Sequence, residues 1–359
     1  MKKLSVFIFL AVIFISGCER QPVPDQIPFS VKSNFNLLQE KPQFVFYLNF
    51  KSMRRSKFWE ENISDSILNA EKTFGSLLGT FKTATGASIS DGLDELYYSN
   101  SWSGENAIVL KGIFDRNKLD AFLQNDTMFT KTKHPDGATV YMHVENHLYF
   151  FFKDNFTICA SNHPSQIDAM YAVRDTSKTG LLLNDELIKS IQPIVYKENV
   201  WMVSTEKMFI RGIFMNFVES KMGDNSVDKG IEVDTLFKDT PRKDSVSKTE
   251  EILMNKLHER INSISFSAKM KTNLDFIVQF ECTDAKAAQY IQKVINGLIS
   301  LSRINTAIRK EKGPAAVESM LDNIDIKTYD SSVHVNIKVT KDNINAFRKN
   351  SFLTPPGQK

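Results

Sequence analysis

The sequence predicts an α+β protein made of two tandem ferredoxin-like repeats, each ordered strand-helix-strand-strand-helix-strand, with mostly antiparallel sheets. The first observation is that segment 93–124 can be placed on segment 261–292 without gaps. The second is a period-two pattern in both copies, which is typical of a strand and places Ile108, Leu110, Gly112 and Phe114 on Phe276, Val278, Phe280 and Cys282. The third is a shared helical pattern that places Lys118, Leu119, Phe122, Leu123 and Gln124 on Lys286, Ala287, Tyr290, Ile291 and Gln292.

The flanking elements repeat the same order. Segments 44–50 and 200–206 read as opening strands, and each is followed by a predicted helix. In the first copy Ser56 is a suitable N-cap for a long helix whose apolar stripe is Trp59, Ile63, Ile67, Ala70, Phe74, Leu77 and Phe81. The second copy offers Ile210, Ile213, Phe214 and Phe217. A closing strand follows a turn in each copy and pairs Leu148, Phe150 and Phe152 with Val333, Val335 and Ile337.

These patterns divide the chain into consecutive segments. They are a signal peptide (1–17), a flexible tether (18–41), a first repeat (42–174), a connector (175–196), a second repeat (197–353) and a tail (354–359). A charged insertion at 223–250 is rich in Asp, Lys, Ser and Thr and is predicted to be disordered. In each repeat we expect helices on one face of the sheet, while the other face packs against its copy or meets solvent or a ligand.

The N-terminus carries the signature of an exported protein. Lys2 and Lys3 precede an apolar run, and Ile15, Ser16, Gly17 and Cys18 end it. This ending resembles the lipobox of bacterial lipoproteins, and the resemblance implies cleavage before Cys18 and acylation of that residue. Two alternatives are an uncleaved membrane anchor, for which the run is short of the roughly 20 apolar residues required, and an ordinary signal peptide with a chance cysteine.

The lipobox also implies a location and a first partner. The protein is predicted to be held in the cell envelope, attached to the membrane through its N-terminal lipid anchor. Glu19 is not the aspartate that, by resemblance to enterobacterial sorting rules, retains lipoproteins in the inner membrane, so the outer membrane is favoured. The rest of the chain resembles envelope lipoproteins of unknown function in pattern and layout.

Charge and cysteine content exclude some functions and leave others open. The formal net charge is only +3, and no clustered basic excess suited to a phosphate backbone is present, so no nucleic-acid partner is expected. With Cys18 assigned to the lipid, Cys159 and Cys282 remain, each within an apolar run. They read as small buried residues, with one disulfide between them as the alternative.

The common catalytic and ligand-binding motifs do not converge. There is no Cys-x-x-Cys pair, His-Glu-x-x-His motif, phosphate-binding loop or Gly-x-Ser-x-Gly motif, so no cofactor, metal site or catalytic residue is predicted. Ser204 to Lys207 form a Ser-x-x-Lys match and Lys178 to Gly180 a Lys-Thr-Gly match, but in the wrong chain order for a penicillin-binding enzyme. His143 and His147 are expected at a hairpin turn, where they would be solvated.

Two surface features suggest contact with a membrane or a partner. Arg54, Arg55 and Lys57 stand beside Trp59, an arrangement that could place cations at lipid head groups and an aromatic ring at the interface. The alternative is a loop of solvated bases before a core aromatic residue. The run 149–152 (YFFF) is apolar on both sides of a strand, which indicates burial on both faces or an apolar contact surface.

The sequence therefore favours a lipid-anchored, non-enzymatic envelope protein whose sheets bind an envelope protein or an apolar ligand. One alternative is an envelope hydrolase or transferase with a site between the two repeats. Another is a carrier of lipids or other apolar ligands.

Overall fold

A computed structural model describes residues 26–73, 76–101, 104–135, 137–174, 178–193, 199–213, 257–308, 320 and 323–349. Its main feature is a 12-stranded sheet in which all strand pairs are antiparallel. This confirms an α+β protein with a large antiparallel sheet. The predicted signal peptide, Cys18, the insertion 223–250 and the tail 354–359 lie outside the described residues.

The strands occur in two groups along the chain. The first group is β1 (Phe44–Asn49), β2 (Leu93–Asn100), β3 (Asn106–Gly112), β4 (Phe129–Lys133), β5 (Thr139–His143), β6 (Leu148–Asp154) and β7 (Thr157–Ser161). The second is β8 (Val200–Ser204), β9 (Ile261–Met270), β10 (Leu274–Cys282), β11 (Ile324–Tyr329) and β12 (Ser332–Val339).

Helices connect these strands and cover parts of both faces of the sheet. Those of the first half are α1 (Phe29–Phe35), α2 (Phe50–Arg54), α3 (Lys57–Asn62), α4 (Ser64–Lys72), α5 (Leu77–Thr85), α6 (Arg116–Asn125) and α7 (Pro164–Ala172). After a short 3₁₀ turn (Gly180–Leu183) come α8 (Asp185–Ile191), α9 (207–213), α10 (Ala285–Ile308) and α11 (Lys341–Lys349).

The strand order differs from a ferredoxin-like repeat, although each half begins in the predicted order of strand, helix, strand, strand, helix. Across the sheet the strands run β11-β12-β10-β9-β8-β1-β2-β3-β7-β6-β5-β4. A ferredoxin-like unit contains split β-α-β connections, which bring parallel strands into the sheet. Here the helices after β1 lead directly to the antiparallel neighbour β2. The ferredoxin-like arrangement is therefore not confirmed.

The two halves nevertheless place their strands in the same way. In the first, β1, β2 and β3 are neighbours and β7 pairs with β3; in the second, β8, β9 and β10 are neighbours and β12 pairs with β10. The position of β12 thus corresponds to that of β7. The predicted match of Leu148, Phe150 and Phe152 with Val333, Val335 and Ile337 is wrong, because β4 and β5 add a hairpin that the second half lacks among its described strands.

One face of the sheet, face A, carries Tyr47, Tyr97 and Trp201. These rings are buried with α1, α7 and α8 in the largest apolar cluster. Phe35 of α1 meets the rings of both Tyr97 and Trp201 edge-on, with centroids 6.3 and 6.1 Å apart. Tyr47 also contacts Tyr97 and Trp201 across the strands, with ring centroids 4.8 and 5.4 Å apart, and such cross-strand aromatic pairs stabilise a sheet beyond simple burial.

The predicted tether, 18–41, is wrong over its second part. Ile27, Val31, Phe35, Leu37 and Leu38 are all buried in this cluster. Their spacing is helical around α1, so residues that look too sparse to pack alone pack against the sheet. The folded part therefore begins before residue 42.

The predicted connector also belongs to this core. Leu181, Leu187 and Ile191 are fully buried in the same cluster. Gly180 has φ +54°, and a Cβ there would lie 2.3 Å from the carbonyl oxygen of Leu38. Only glycine allows this approach, so the glycine of the Lys-Thr-Gly match has a structural role.

The other face, face B, carries Phe46, Leu48 and Leu96. In the first half α2 to α6 cover it in a cluster that contains Phe50, Trp59 and Phe114. In the second half its core consists of Ile264, Phe280, Ala287, Ile291, Val333 and Val335, with α10 packed on the sheet. Face B therefore has two separate apolar cores.

The predicted long helix after β1 is broken into shorter ones. Ser56 accepts a hydrogen bond from the Trp59 N–H and so begins α3, which confirms the predicted N-cap. Ser76 caps α5 in the same way through Gly79 N–H. Leu77 is 84% exposed and is not part of the apolar stripe, while Phe74, Phe214 and Phe217 lie outside the described residues.

The remaining apolar predictions concern the cysteines and the YFFF run. Cys159 and Cys282 are free, buried thiols in different clusters, and burial raises the pKa of each to about 12. In β6, Phe151 packs in the face A cluster, and Phe150 and Phe152 pack against the face B cluster. Burial on both faces explains the run.

Candidate functional site

The four residues predicted to contact a membrane or a partner, Arg54, Arg55, Lys57 and Trp59, have two different structural roles. Arg54 donates hydrogen bonds to the carbonyl oxygens of Ile89 and Leu93 and forms an ion pair with Asp94 at 3.0 Å. Trp59 is buried in the face B core. Both residues stabilise the packing of α2 and α3, so neither is placed to meet a partner.

The other cations of this segment face solvent. Arg55 and Lys57 are exposed, and Lys57 lies 3.6 Å from Glu61 within the same helix. Exposed ion pairs of this kind contribute little to stability. Arg55 and Lys57 thus remain candidates for contact with a membrane or a partner.

The most distinctive surface of the sheet is a row of half-buried apolar side chains across face B. We call it the central apolar row, and its members are Ile108, Tyr98, Phe46, Met202 and Phe266. Each is directly opposite the next on adjacent strands, from β3 through β2, β1 and β8 to β9. At about 4.8 Å between strands the row is roughly 19 Å long.

Further aromatic rings border this row. Phe44 stacks on Phe46 with ring centroids 6.3 Å apart and meets Tyr98 edge-on at 6.2 Å. Phe209 of α9, which is 37% exposed, approaches Phe44 at 5.9 Å. At the other end Phe276 lies 5.2 Å from Phe266. The row and its borders are uncharged, and its five members lie outside the three buried clusters of the described residues.

Sequence reasoning missed this row because its members come from five strands. Segment 44–50 was identified as a strand, and its unbroken apolar character predicts burial on both faces. On face A that burial is complete, as Val45 and Tyr47 show. On face B Phe44 and Phe46 stay half-buried, because they lie between the two apolar cores of that face.

A polar network on face A marks one end of the central strands. Tyr47 and Tyr97 donate their hydroxyls to the two carboxylate oxygens of Glu95 at 3.1 and 3.0 Å, and Asn49 donates to Tyr47 at 2.9 Å. Burial, reinforced by the Glu95 charge, raises the pKa of both tyrosines. The phenols therefore stay protonated and act as donors that orient Glu95.

A shallow cleft of about 510 Å³ opens at the opposite end of the junction between the halves. Its lining is Glu40, Lys41, Pro42, Gln43, Leu183, Asn184, Asp185, Glu186 and Thr205. Its described lining contains three carboxylates and no serine, cysteine or histidine. Asp185 pairs with Lys178 at 3.5 Å. This is where a hydrolase site between the repeats would lie, and among the residues that the structure describes the lining supplies no nucleophile and base pair of the usual kind.

The residues of the Ser-x-x-Lys match also have structural partners. Ser204 ends β8 and donates to the carbonyl oxygen of Gln43 at 2.8 Å. Lys207 donates to the carbonyl oxygen of Ile261, and burial lowers its pKa. His147 has φ +49° and lies in the turn between β5 and β6, as predicted for that hairpin.

The described residues include neither a membrane-spanning helix nor a cluster of metal-ligating side chains. Over that part of the chain, no helix combines the length and the apolar character needed to cross a bilayer. Within the same ranges, no group of three or more His, Cys, Asp or Glu side chains has a geometry suited to a metal ion.

No family model matches this chain, and neither does any curated protein sequence. Crystal form III of TP0453 is similar, with 9% identity and a TM-score of 0.48 over 92% of this chain and 99% of that chain. Form IV has 10% identity and a TM-score of 0.45, and form I has 11% and 0.44, each over 88% of this chain and 96% of that chain.

Proposed function

We propose that this chain is a lipid-anchored, non-enzymatic binding protein of the bacterial cell envelope. The anchor is supported by Lys2 and Lys3, the apolar run that follows, and the Ile15-Ser16-Gly17-Cys18 ending. Glu19 after the acylated cysteine favours the outer membrane. The structure of the folded part suggests what such a protein binds.

The ligand we propose is a single apolar chain, such as the acyl chain of a lipid. The observation that carries this proposal is the central apolar row, whose side chains are uncharged and only half-buried on five adjacent strands. Covering such side chains is favourable at about 25 cal/mol per Å². The row, roughly 19 Å long, also exceeds the half-thickness of a bilayer core, about 15 Å, so it accommodates an extended acyl chain.

We further propose that the row arose with an internal duplication. Phe46 and Met202 are directly opposite on β1 and β8. They are also equivalent positions when segment 44–50 is placed on segment 200–206. This pair is then the centre of a local two-fold relation, and the row runs outward from it through β2 and β3 of the first half and through β9 of the second.

The anchor is tested by metabolic labelling with tritiated palmitate. We expect label in the wild-type chain and none in Cys18→Ala. Cys282→Ala is the matched control, because its thiol is buried and should not affect acylation. Label that persists in Cys18→Ala would overturn the anchor.

The binding site is tested with cis-parinaric acid, a fluorescent linear fatty acid. We expect Phe46→Ala to weaken its affinity about tenfold or more, because burying an aromatic side chain contributes about 1.5–3 kcal/mol. Phe29→Ala is the control, since Phe29 is 75% exposed and lies on α1, which packs on face A, away from the row. Thermal unfolding of both variants shows that the fold is retained.

The alternative occupant of the row is an apolar segment of an envelope protein. If the wild-type chain does not bind the fatty acid, or if both variants lose the same affinity, the acyl chain is the wrong ligand. A photocrosslinker in place of Tyr98 would then identify a protein partner in intact cells.

A further inference from the structure

The direction of α1 shows at which end of the sheet the chain joins the folded part. We call one end of the sheet its lower end. It is marked by four residues that are directly opposite one another on β1, β2, β3 and β7, namely Asn49, Glu95, Lys111 and Thr157. The Asn34 side chain lies close enough to the Tyr97 hydroxyl to lower its pKa against the larger effect of burial, and that hydroxyl donates to Glu95. Gln39 N–H donates to Ser99, nearer the upper end. The chain therefore runs upward from Asn34, near the end of α1, to Gln39 beyond it, and the same direction continued back along α1 takes Phe29 and the residues before it towards the lower end.

The length of the preceding chain then limits where the anchor is. At 3.3–3.6 Å per residue, the segment from Cys18 to Ile27 spans at most about 30 Å. The proposed lipid on Cys18 is therefore held within this distance of the lower end. The upper end, with its acidic cleft, faces away.

Two large apolar side chains are exposed on neighbouring loops at the lower end. Ile113, directly after β3, is 68% exposed, and Phe156, in the turn between β6 and β7, is 58% exposed. The two strand ends are joined by a hydrogen bond of 3.0 Å from Gly112 N–H to the carbonyl oxygen of Phe156. Neighbouring exposed apolar side chains at a loop edge are suited to the interfacial region of a bilayer.

Exposed cations lie at the same end. Arg55 and Lys57 follow β1 at the turn between α2 and α3. The Phe58 N–H donates to the carbonyl oxygen of Lys271 at 2.8 Å, which brings a third exposed cation beside them. At the upper end the cleft is lined by Glu40, Asp185 and Glu186 together with Lys41, and Asp185 pairs with Lys178. The carboxylates of this cleft oppose contact with anionic head groups, whereas the exposed cations of the lower end complement them.

We propose that the lower end lies against an anionic bilayer surface, with Ile113 and Phe156 in the interfacial layer and Arg55, Lys57 and Lys271 at the head groups. This inference rests on the proposed lipid anchor. It refines the predicted contact set, because Arg55 and Lys57 remain in it while Arg54 and Trp59 stabilise the fold.

The test places the photocrosslinker p-benzoylphenylalanine at position 113, 156 or 183 of the full chain in cells with ³²P-labelled phospholipid. Leu183 is 48% exposed at the upper end and is the matched control. We expect phospholipid adducts at 113 and 156 and not at 183. Equal yields at all three positions, protein adducts alone, or no adduct at 113 and 156 would overturn the lower-end contact.

Two further measurements complete the experiment. One uses charge-reversal variants, and the other follows acylation by palmitate labelling. Arg55→Glu should lower the adduct yield at 156 by about fivefold or more, since one cation near an anionic surface contributes about 1 kcal/mol, whereas Lys178→Glu at the upper end should not. Palmitate labelling of the same samples separates the two proposals. Unlabelled protein means that the anchor is wrong, while labelled protein without lipid adducts means that only the contact surface is wrong.

Discussion

The two halves of the sheet use face A in opposite ways. In the first half it carries Tyr97 and Val109, both fully buried beneath α1 and α7. In the second half the same face carries Ser263, Ser265 and Ser267 on β9 and Gln279 on β10. The change occurs at the pair formed by Trp201 and Ser267. The first half is thus a sheet with apolar cores on both faces, whereas the second half, beyond Trp201 and Val203 of β8, has its described core on face B.

This difference shows that equal strand order does not require equal packing. In β9 the alternation of serine with Ile264, Phe266 and Ala268 leaves one apolar face. In β1 every residue from Phe44 to Leu48 is apolar or aromatic, so both faces need a cover. The extra cover on face A of the first half comes from α1 and from the segment between the two halves.

The largest expected effect on stability concerns α1, which covers face A of the first half. Phe35→Ala should lower the free energy of unfolding by about 3–5 kcal/mol, because a buried aromatic ring is replaced by a cavity between Tyr97 and Trp201. Chemical denaturation measures the change. Phe29→Ala is the matched control at 75% exposure and should stay within about 0.5 kcal/mol of the wild type. Equal effects would mean that α1 does not belong to the core.

The next effect concerns the cover of face B in the first half. Arg54→Ala should lower the free energy of unfolding by about 2 kcal/mol, since it removes hydrogen bonds from a charged donor to Ile89, Leu93 and Asp94. Arg55→Ala should have little effect on stability. Thermal melts of both variants make this comparison, and a larger loss in Arg55→Ala would contradict the assigned roles.

A smaller effect on stability is expected on β9, where face A changes from apolar to polar side chains. Ser267 has a buried hydroxyl without a hydrogen-bond partner among the described residues, whereas the Ser263 hydroxyl donates to Ser190 at 3.3 Å. Ser267→Ala should leave stability unchanged or raise it, and Ser263→Ala should lower it by about 1 kcal/mol. Denaturation midpoints distinguish the two. The reverse order would show that the Ser267 hydroxyl contributes to the native state.

The smallest effect is a pH dependence on face A of the second half. Burial holds the pKa of His334 below its ordinary 6.5. Below about pH 6.5 the unfolded chain binds more protons at this residue than the folded one, so its contribution lowers stability as the pH falls. His334→Asn should therefore lose less stability than the wild type between about pH 7 and pH 5.

The control for the pH experiment is His147→Asn. His147 is exposed in a turn with positive φ, a conformation that asparagine tolerates. Its pH dependence of unfolding should match that of the wild type. If both variants behave alike, burial of His334 has no measurable effect on stability.

The sequence by itself determined the features that depend on local spacing. The period-two pattern located β3 and β10, helical spacing located α6 and the start of α10, and Ser56 was identified as the cap of α3. Each follows from contacts between residues that are near one another in the chain. The N-terminal lipid anchor is also a prediction of local sequence, and it remains to be tested.

The tertiary structure decided how these elements are arranged. Only the sheet places β1 beside β8, aligns Phe46 with Met202 and joins the five members of the central apolar row. Only packing shows that Phe35 is core while Leu77 is exposed, although both are apolar residues on helices. The physical reason is that strand pairing and burial depend on contacts between residues far apart in sequence, which local spacing does not encode.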